Sequence, residues 1–382
     1  MKKYFLIYIV VIFAAAGLFA QDWSGVMDST VSYSKGAGSV ANHSFGIEQF
    51  VNLRLRVRTR EMATFNASFN LIAATGHNAL TLAASNPMLV GENYAATMEI
   101  ERLFVRIVGE EIDTELGLLR MNFGYGQVWG STDFLNPRNP MAINARPRGV
   151  LGINSSYYPT DTLRIMGFIS APSDPLQYSG GGYTPGILLE QHWDTASLQA
   201  FYAYETPIYG ITGSTARDLG IHSLGASLKF DLELGFVIDA LYRYNPRNSG
   251  ILSGLSLGAG FDYSFMGGDL IVIAEYLYNG SQSITAKDYG GNWQNRNYLY
   301  ASALYRIDDF RSLSLAAMMS IDDHSFMPMA TFNYDVFQGF SVNIAVQVPL
   351  DRKSFGGTRA GELGPETTHS RFSVNVGARL RF

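Results

Sequence analysis

The feature that most constrains this chain is a two-residue alternation of apolar and polar side chains, which recurs in segments of about ten residues. The last segment shows it most clearly. Its apolar set is Phe372, Val374, Val376, Ala378, Leu380 and Phe382, and its intervening set is Arg371, Ser373, Asn375, Gly377, Arg379 and Arg381. Successive side chains of a β-strand point to opposite faces, so the segment predicts a strand with one apolar and one wet face.

The same alternation recurs upstream. Apolar positions alternate with polar ones in three further segments, at Val342, Ile344, Val346 and Val348, at Phe236, Ile238, Ala240, Tyr242 and Tyr244, and at Leu198, Ala200, Tyr202 and Tyr204. Tyrosines near the strand ends are typical of the aromatic girdles of membrane barrels. A soluble β-sandwich also has half-buried alternating strands. The repetition along the whole chain favours the membrane barrel.

Short turns alternate with longer connections between these segments. The short turns fall near 60–61, 109–111, 159–161, 194–195, 231, 267–268, 308–309 and 338–339. The longer connections fall at about 74–92, 123–148, 171–184, 205–218, 280–295 and 350–368. Membrane barrels have short periplasmic turns and long external loops. We therefore predict an all-β fold: a single antiparallel transmembrane barrel of about 18 strands, with 16 as the alternative.

Residues 1–20 predict a cleaved signal peptide, because Lys2 and Lys3 precede an apolar run and a small-residue stretch that ends at Ala20. An uncleaved N-terminal anchor is the alternative interpretation. The barrel is then expected over 21–382, after secretion by the Sec route. The chain has no cysteine, which argues against a disulfide-stapled fold. Its net charge of -5 gives no reason to expect nucleic acid as a partner.

One predicted strand, Phe45 to Arg60, carries a row of arginines on a single face: Arg54, Arg56, Arg58 and Arg60. Arginine is costly against lipid, so the row is expected to point into the lumen, as are the pore-lining candidates Arg102 and Arg106. Rows of arginine in a pore select anions. The competing interpretation is that the row pairs with Glu48, Glu99 and Glu101 and only stiffens the wall.

A second motif begins at Gly124 or Gly126 and runs through Trp129, Asp133 and Asn136 to Pro137, with the pattern Gly-x-x-x-Trp-Gly-x-x-Asp-x-x-Asn-Pro. It resembles a stretch found in several families of large outer-membrane porins and export barrels. The resemblance covers about 103–140 and implies an external loop that folds inward and narrows the pore. The constriction candidates are Trp129, Asp133, Asn136 and Arg138. Ordinary turn chemistry is the other interpretation of Asp133 and Asn136.

The final strand, which ends on Phe382, resembles the C-terminal signal by which outer-membrane barrels are recognised for insertion. Together with the leader, this resemblance points to the bacterial outer-membrane β-barrel porin-like family. It implies location in the bacterial outer membrane, with the membrane lipid and the barrel-assembly machinery as partners. Phe382 is the expected assembly signal.

The candidate catalytic or metal-binding groups are six histidines: His43, His77, His192, His222, His324 and His369. Adjacent residues of a strand point apart, so the His-Ser pairs cannot converge as a nucleophile and its base. No metal-ligand spacing stands out. We therefore expect no enzyme, no cofactor and no metal.

The expected function is an outer-membrane porin for passive diffusion of small hydrophilic, possibly anionic, solutes. Two alternatives stay open: a surface-exposed structural or adhesive barrel that acts through its long loops, and an export barrel for a polymer.

Overall fold

The computed structural model describes residues 21–36, 43–59, 62–83, 87–136, 149–171, 182–206, 220–244, 254–280 and 295–382. The predicted signal peptide, 1–20, lies outside these ranges. The first described strand is Gln21–Gly36. No helix in the described part of the chain is long and apolar enough to cross a membrane.

The described residues form nineteen strands and one short helix. The strands are β1 Gln21–Gly36, β2 His43–Thr59, β3 Ala63–Gly76, β4 Leu89–Val90, β5 Tyr94–Val108, β6 Ile112–Leu119, β7 Val150–Thr160, β8 Leu163–Ser170, β9 Thr184–Trp193, β10 Ala196–Glu205, β11 Ile221–Asp231, β12 Gly235–Tyr244, β13 Leu255–Phe265, β14 Leu270–Asn279, β15 Asn297–Arg306, β16 Arg311–Ser320, β17 Ser325–Phe337, β18 Phe340–Gln347 and β19 Ser370–Arg381. The helix is α1 His77–Ala83, and single 3-10 turns lie at Met266–Gly268 and Lys353–Phe355.

Eighteen of the described strands form one closed antiparallel ring. Each strand pairs with its neighbour in sequence, β3 pairs directly with β5, and β1 pairs with both β2 and β19, which closes the ring. The two-residue β4 pairs only with the outer part of β5 and is an addition to the wall. The prediction of an 18-strand barrel is therefore confirmed, and the alternative of 16 strands is wrong.

One rim of the barrel carries the short turns. Asp194-Thr195, Met266–Gly268 and Gln338-Gly339 lie there, close to the predicted positions, whereas the predicted turn at Arg60-Glu61 falls outside the described residues. This is the periplasmic rim by the rule for membrane barrels. The opposite rim carries the longer connections and also the four-residue turn at 321–324, which the sequence analysis did not identify.

The cross-strand register assigns every wall residue to a face. Asp28 lies opposite Arg379, whereas Met27 lies opposite Leu380, so the polar and apolar sets predicted for the last strand occupy different faces. Ile238, Leu224 and Val376 lie on the face that is rich in exposed apolar side chains. The alternation read from the sequence therefore separates an apolar outer face from an inner face that carries nearly all charged side chains of the described strands.

Candidate functional site

The chain between β6 and β7 enters the barrel. The residues described there, 120–136, contact wall side chains on the face opposite the exposed apolar one, among them Phe201 on β10, Asp239 on β12 and Glu275 on β14. These positions therefore point into the lumen. We call residues 120–136 the inward segment.

Apolar packing holds the first part of the inward segment. Phe123 is 2% exposed and packs against Phe168 and Phe201 of the wall, with ring centroids 5.3 Å and 4.8 Å away. Phe134 stacks on the same Phe201 at 5.5 Å. Apolar lumen-facing side chains would be unfavourable against water, and the inward segment covers them.

A buried carboxylate holds the middle of the inward segment. The two oxygens of Glu275 on β14 accept backbone N–H groups of Gln127, Val128 and Trp129 at 2.6–3.1 Å. The indole Nε1 of Trp129 donates to the backbone oxygen of Glu275 at 3.4 Å. Hydrogen bonds to a charged acceptor contribute about 1.5–3 kcal/mol each, so this is the strongest polar attachment of the segment.

Asp239 on β12 makes a second attachment. Its Oδ2 accepts the backbone N–H of Gly126 at 3.1 Å, and its Oδ1 accepts the hydroxyl of Ser227. Ser227 accepts the backbone N–H of Tyr125 at 3.0 Å. A Cβ at Gly126 would lie 2.6 Å from Asp239 Oδ2, so glycine is required for this approach.

Neither Glu275 nor Asp239 was predicted as a site residue from the sequence. Glu275 is the only charged residue in its strand, Leu-Ile-Val-Ile-Ala-Glu-Tyr-Leu-Tyr-Asn. A lone carboxylate on the lumen face of an otherwise apolar strand is a signal that could have found it.

Three of the four constriction candidates lie within the inward segment. Trp129 is 2% exposed and its ring centroid is 5.6 Å from that of Tyr298. Asp133 Oδ1 accepts the backbone N–H of Asn136 at 3.2 Å, and Asn136 Nδ2 donates to the backbone oxygen of Met121 at 2.5 Å. These contacts agree with the turn-chemistry interpretation of both residues. Arg138 lies outside the described residues.

The connection between β18 and β19, residues 348–369, also bends over the lumen. Its Leu363 is fully buried and belongs to one apolar cluster with Trp129, Tyr298, Met318 and Met327. The backbone N–H of Leu363 donates to Ser325 Oγ at 3.0 Å, and that of Glu362 to Asp323 Oδ2 at 2.6 Å. The two entering segments therefore meet at the Trp129 side chain.

The arginine row faces the lumen on the opposite side of the ring. Arg56 lies opposite Asn66, which lies opposite Phe104, and Phe104 packs against the apolar cluster of the inward segment. Because paired positions share a face, Arg54, Arg56 and Arg58 all point inward. All three side chains are exposed to the lumen solvent. Arg60 lies outside the described residues.

The predicted pairing of this row with Glu48, Glu99 and Glu101 is not found among the described residues. Arg54 Nε donates to Asn52 Oδ1 at 2.7 Å, and neither Arg56 nor Arg58 forms an ion pair with a described side chain. Asn52 and Ser68 donate instead to Glu101 Oε2, at 2.8 Å and 2.7 Å. The row keeps its charge available to the lumen.

The two further pore-lining candidates differ from each other. Arg102 lies opposite the lumen-facing Ser68 in the register and forms no ion pair with a described residue. Arg106 is paired with Asp113 at 2.5 Å, so its charge is neutralised locally. Arg102 extends the basic region, and Arg106 contributes little to it.

The histidines do not assemble a reactive centre in the described ranges. Asp323 binds loop groups of Ser325, Asn295 and Glu362 instead of the adjacent His324. Across these ranges no group of three or more His, Cys, Asp or Glu side chains is arranged to hold a metal ion.

These features define a class of protein: a large closed antiparallel barrel whose lumen holds a segment folded in from its own wall, the architecture of bacterial outer-membrane porins. No protein-family model and no curated protein matches the chain.

Solved structures of this class are similar over their whole length. OccAB4 of Acinetobacter baumannii is 9% identical, with a TM-score of 0.58 over 96% of this chain and 99% of that chain. OccAB3 of the same organism is 11% identical, with a TM-score of 0.57 over 95% and 99%. OccK7 (OpdD) of Pseudomonas aeruginosa is 9% identical, with a TM-score of 0.54 over 95% and 99%. At these identities the likeness is one of fold.

Proposed function

We propose that this protein is an outer-membrane porin, a passive conduit for small hydrophilic solutes that favours anions over cations. The observation that carries the proposal is the lumen-facing row Arg54, Arg56 and Arg58, which has no acidic partner among the described residues. Passive diffusion requires neither a cofactor nor a catalytic group.

The electrostatic argument rests on where the charges lie. The carboxylates Asp239 and Glu275, on β12 and β14, are occupied by the inward segment, whereas the arginine row stands across the ring on β2. A lumen wall with unpaired guanidinium groups raises the local concentration of anions and repels cations. A solute that passes beside the segment is therefore exposed to the guanidinium groups of this row.

The inward segment supplies the size limit in this proposal. It occupies part of the lumen, and Trp129, Asp133 and Asn136 maintain its path through contacts with the wall and with its own backbone. In this role they are positioning residues and need not touch the solute. Arg138, outside the described residues, stays a constriction candidate that would add positive charge.

Assembly follows from the same proposal. Residues 1–20 direct secretion and are removed, residues 21–382 form the barrel, and Phe382 at the end of β19 is read by the barrel-assembly machinery before the apolar outer face meets lipid. The exposed apolar side chains on that face support the contact with lipid.

Single-channel recording in planar bilayers tests the function. We expect discrete openings and, under a salt gradient, a reversal potential that shows anion preference. The double variant Arg56→Gln/Arg58→Gln should lose much of that preference. The matched control Lys35→Gln/Arg311→Gln removes two charges from the outer face and should retain it. A folded barrel that never conducts would overturn the proposal in favour of adhesion or export.

A further inference from the structure

The outer face of the described strands is almost free of charge. At outward-facing positions of the described strands the basic side chains are Lys35, His43, His222 and Arg311, and no carboxylate occupies such a position. A cation at this face cannot be neutralised by a neighbouring acidic residue of the wall.

Arg311 is the exception. It lies at the periplasmic rim, and its guanidinium binds Asp308 of the adjacent turn at 2.5–2.7 Å. Lys35 and His43 lie at the opposite rim, at the ends of β1 and β2, directly across from each other in the register. The ammonium of Lys35 forms no ion pair with a described residue.

The surroundings of His43 orient its imidazole. The hydroxyl of Tyr33 is hydrogen-bonded to His43 Nδ1, and the two rings stack with centroids 5.7 Å apart. When Tyr33 is the donor, Nε2 carries the ring proton and is a donor with no described acceptor. The ring of Phe372 packs on the other side of Tyr33, with the two ring centroids 5.9 Å apart. The Tyr33 ring is therefore held between two other rings.

We infer that Lys35, His43 and Tyr33 form a binding site for a phosphate group on the headgroup of an outer-leaflet lipid. The ammonium and the imidazole N–H supply two donors and at least one positive charge, and the aromatic side chains lie at the level of the interface. The inference uses the membrane orientation of the proposed function, and it does not depend on conduction.

His222 provides an internal comparison. It also accepts or donates a hydrogen bond with a tyrosine, Tyr202, at 2.8 Å, and it lies among Tyr204 and Tyr244. No outward-facing lysine or arginine of the described strands stands beside it. It should therefore bind an anionic headgroup more weakly than the Lys35 site.

Native mass spectrometry of the refolded protein in detergent tests the site with two lipid probes, dioleoyl phosphatidic acid and dioleoyl phosphatidylcholine. We expect preferential binding of phosphatidic acid. Lys35→Gln should weaken it about fivefold, as expected for one charge at an anionic membrane surface, and Lys35→Gln/His43→Gln should weaken it further. Arg311→Gln and His222→Gln are the matched controls and should change it little.

Equal binding of both lipids, or equal binding by the wild type and the double variant, would overturn the inference. Competition by inorganic phosphate distinguishes the sources of the anion: displacement of the lipid at equal concentration would show a site for free phosphate and would also overturn it. Heat-modifiable migration on gels verifies that each variant is folded. Conductance of the same samples is recorded separately, so that a non-conducting barrel with an intact lipid preference counts against the porin function alone.

Discussion

The ring of Phe382 lies over Gly25, and the two residues exchange both backbone hydrogen bonds, at 2.7 Å and 3.0 Å. A Cβ at Gly25 would lie 2.5 Å from Cζ of the phenylalanine ring. Both side-chain positions face outward at the periplasmic rim, where β1 and β19 close the barrel. The pairing of β1 with β19, which closes the barrel, thus ends in close packing of Phe382 against Gly25.

Replacing Gly25 by leucine is expected to destabilise the barrel by about 1–3 kcal/mol, the usual cost of overpacking a filled site. The urea midpoint of the refolded protein measures this. Gly167→Leu is the matched control, because Gly167 also faces outward and a Cβ there meets nothing within 4 Å. Adding Phe382→Ala to Gly25→Leu should restore part of the lost stability. Equal midpoints for Gly25→Leu and Gly167→Leu would show that the ring does not fill this space.

Replacing Glu275 by alanine is expected to release the inward segment, because three backbone N–H groups lose a charged acceptor. Each lost hydrogen bond to a charged acceptor costs about 1.5–3 kcal/mol, so the three bonds together cost more than a single new contact of the segment could restore. Larger and noisier single-channel currents are the expected signature, and Glu275→Gln should lie between alanine and wild type.

Asp262→Asn is the control for that experiment. Asp262 also faces the lumen, but within the described part of the chain it accepts a hydrogen bond only from the Gln127 side chain, at 3.2 Å. Its currents should remain close to those of the wild type. Unchanged currents in Glu275→Ala would mean that the segment is held mainly by the apolar packing around Phe123.

The wall of this barrel could be predicted from the sequence because the signal is local. Each strand shows its two faces in its own alternation, and the turns at Asp194-Thr195 and Gln338-Gly339 mark its ends. The attachment of the inward segment could not be predicted in this way. Trp129 and Glu275 are separated by 146 residues, and nothing in either neighbourhood specifies the other.

The arginine row could be predicted from the sequence only in part. Its inward direction is predicted by the alternation of Arg54, Arg56 and Arg58, and the register pairs these residues with Ser68, Asn66 and Thr64 on the same face. Whether acidic side chains neutralise the row depends on the rotamers of Asn52, Ser68 and Glu101, which only a folded structure shows. The sequence therefore predicted the position of the charge and left its pairing open.

Leu363→Ala and Trp129→Ala should be energetically coupled, because both side chains fill one buried cluster with Tyr298. Residues in contact show interaction energies of about 0.5–3 kcal/mol in double-mutant cycles. Amide hydrogen exchange across 124–134 measures the effect on the inward segment. Leu232→Ala, at an exposed turn position, is the control and should leave that exchange unchanged. Strict additivity would mean that residues 348–369 and the inward segment are held independently.

The last prediction concerns acid. Burial alone would raise the pKa of Asp323, but hydrogen bonds from Ser325, from the backbone of Glu362 and from Asn295 outweigh it, so its pKa lies below the ordinary value. The pKa of Asp351 is lowered in the same way by Gly361 and Ser354. Both groups lie in the outer connections: Asp323 holds Glu362 against the barrel, and Asp351 holds the fold of residues 348–369 together through Gly361 and Ser354.

A carboxylate whose pKa is lowered in the folded state stabilises it above the unfolded pKa, and this stabilisation is lost as the pH falls through the folded value. With an unfolded pKa of about 3.9, docking of residues 348–369 should be constant from neutral pH to about pH 5 and be lost only in stronger acid. The chain has no cysteine, so a spin label on Thr358→Cys reports the docking directly. Its mobility should rise only below about pH 4, near the unfolded pKa, whereas the labelled Asp323→Asn variant should be mobile at neutral pH. A rise in mobility of the labelled wild type in weaker acid would show that these carboxylates do not hold the connection.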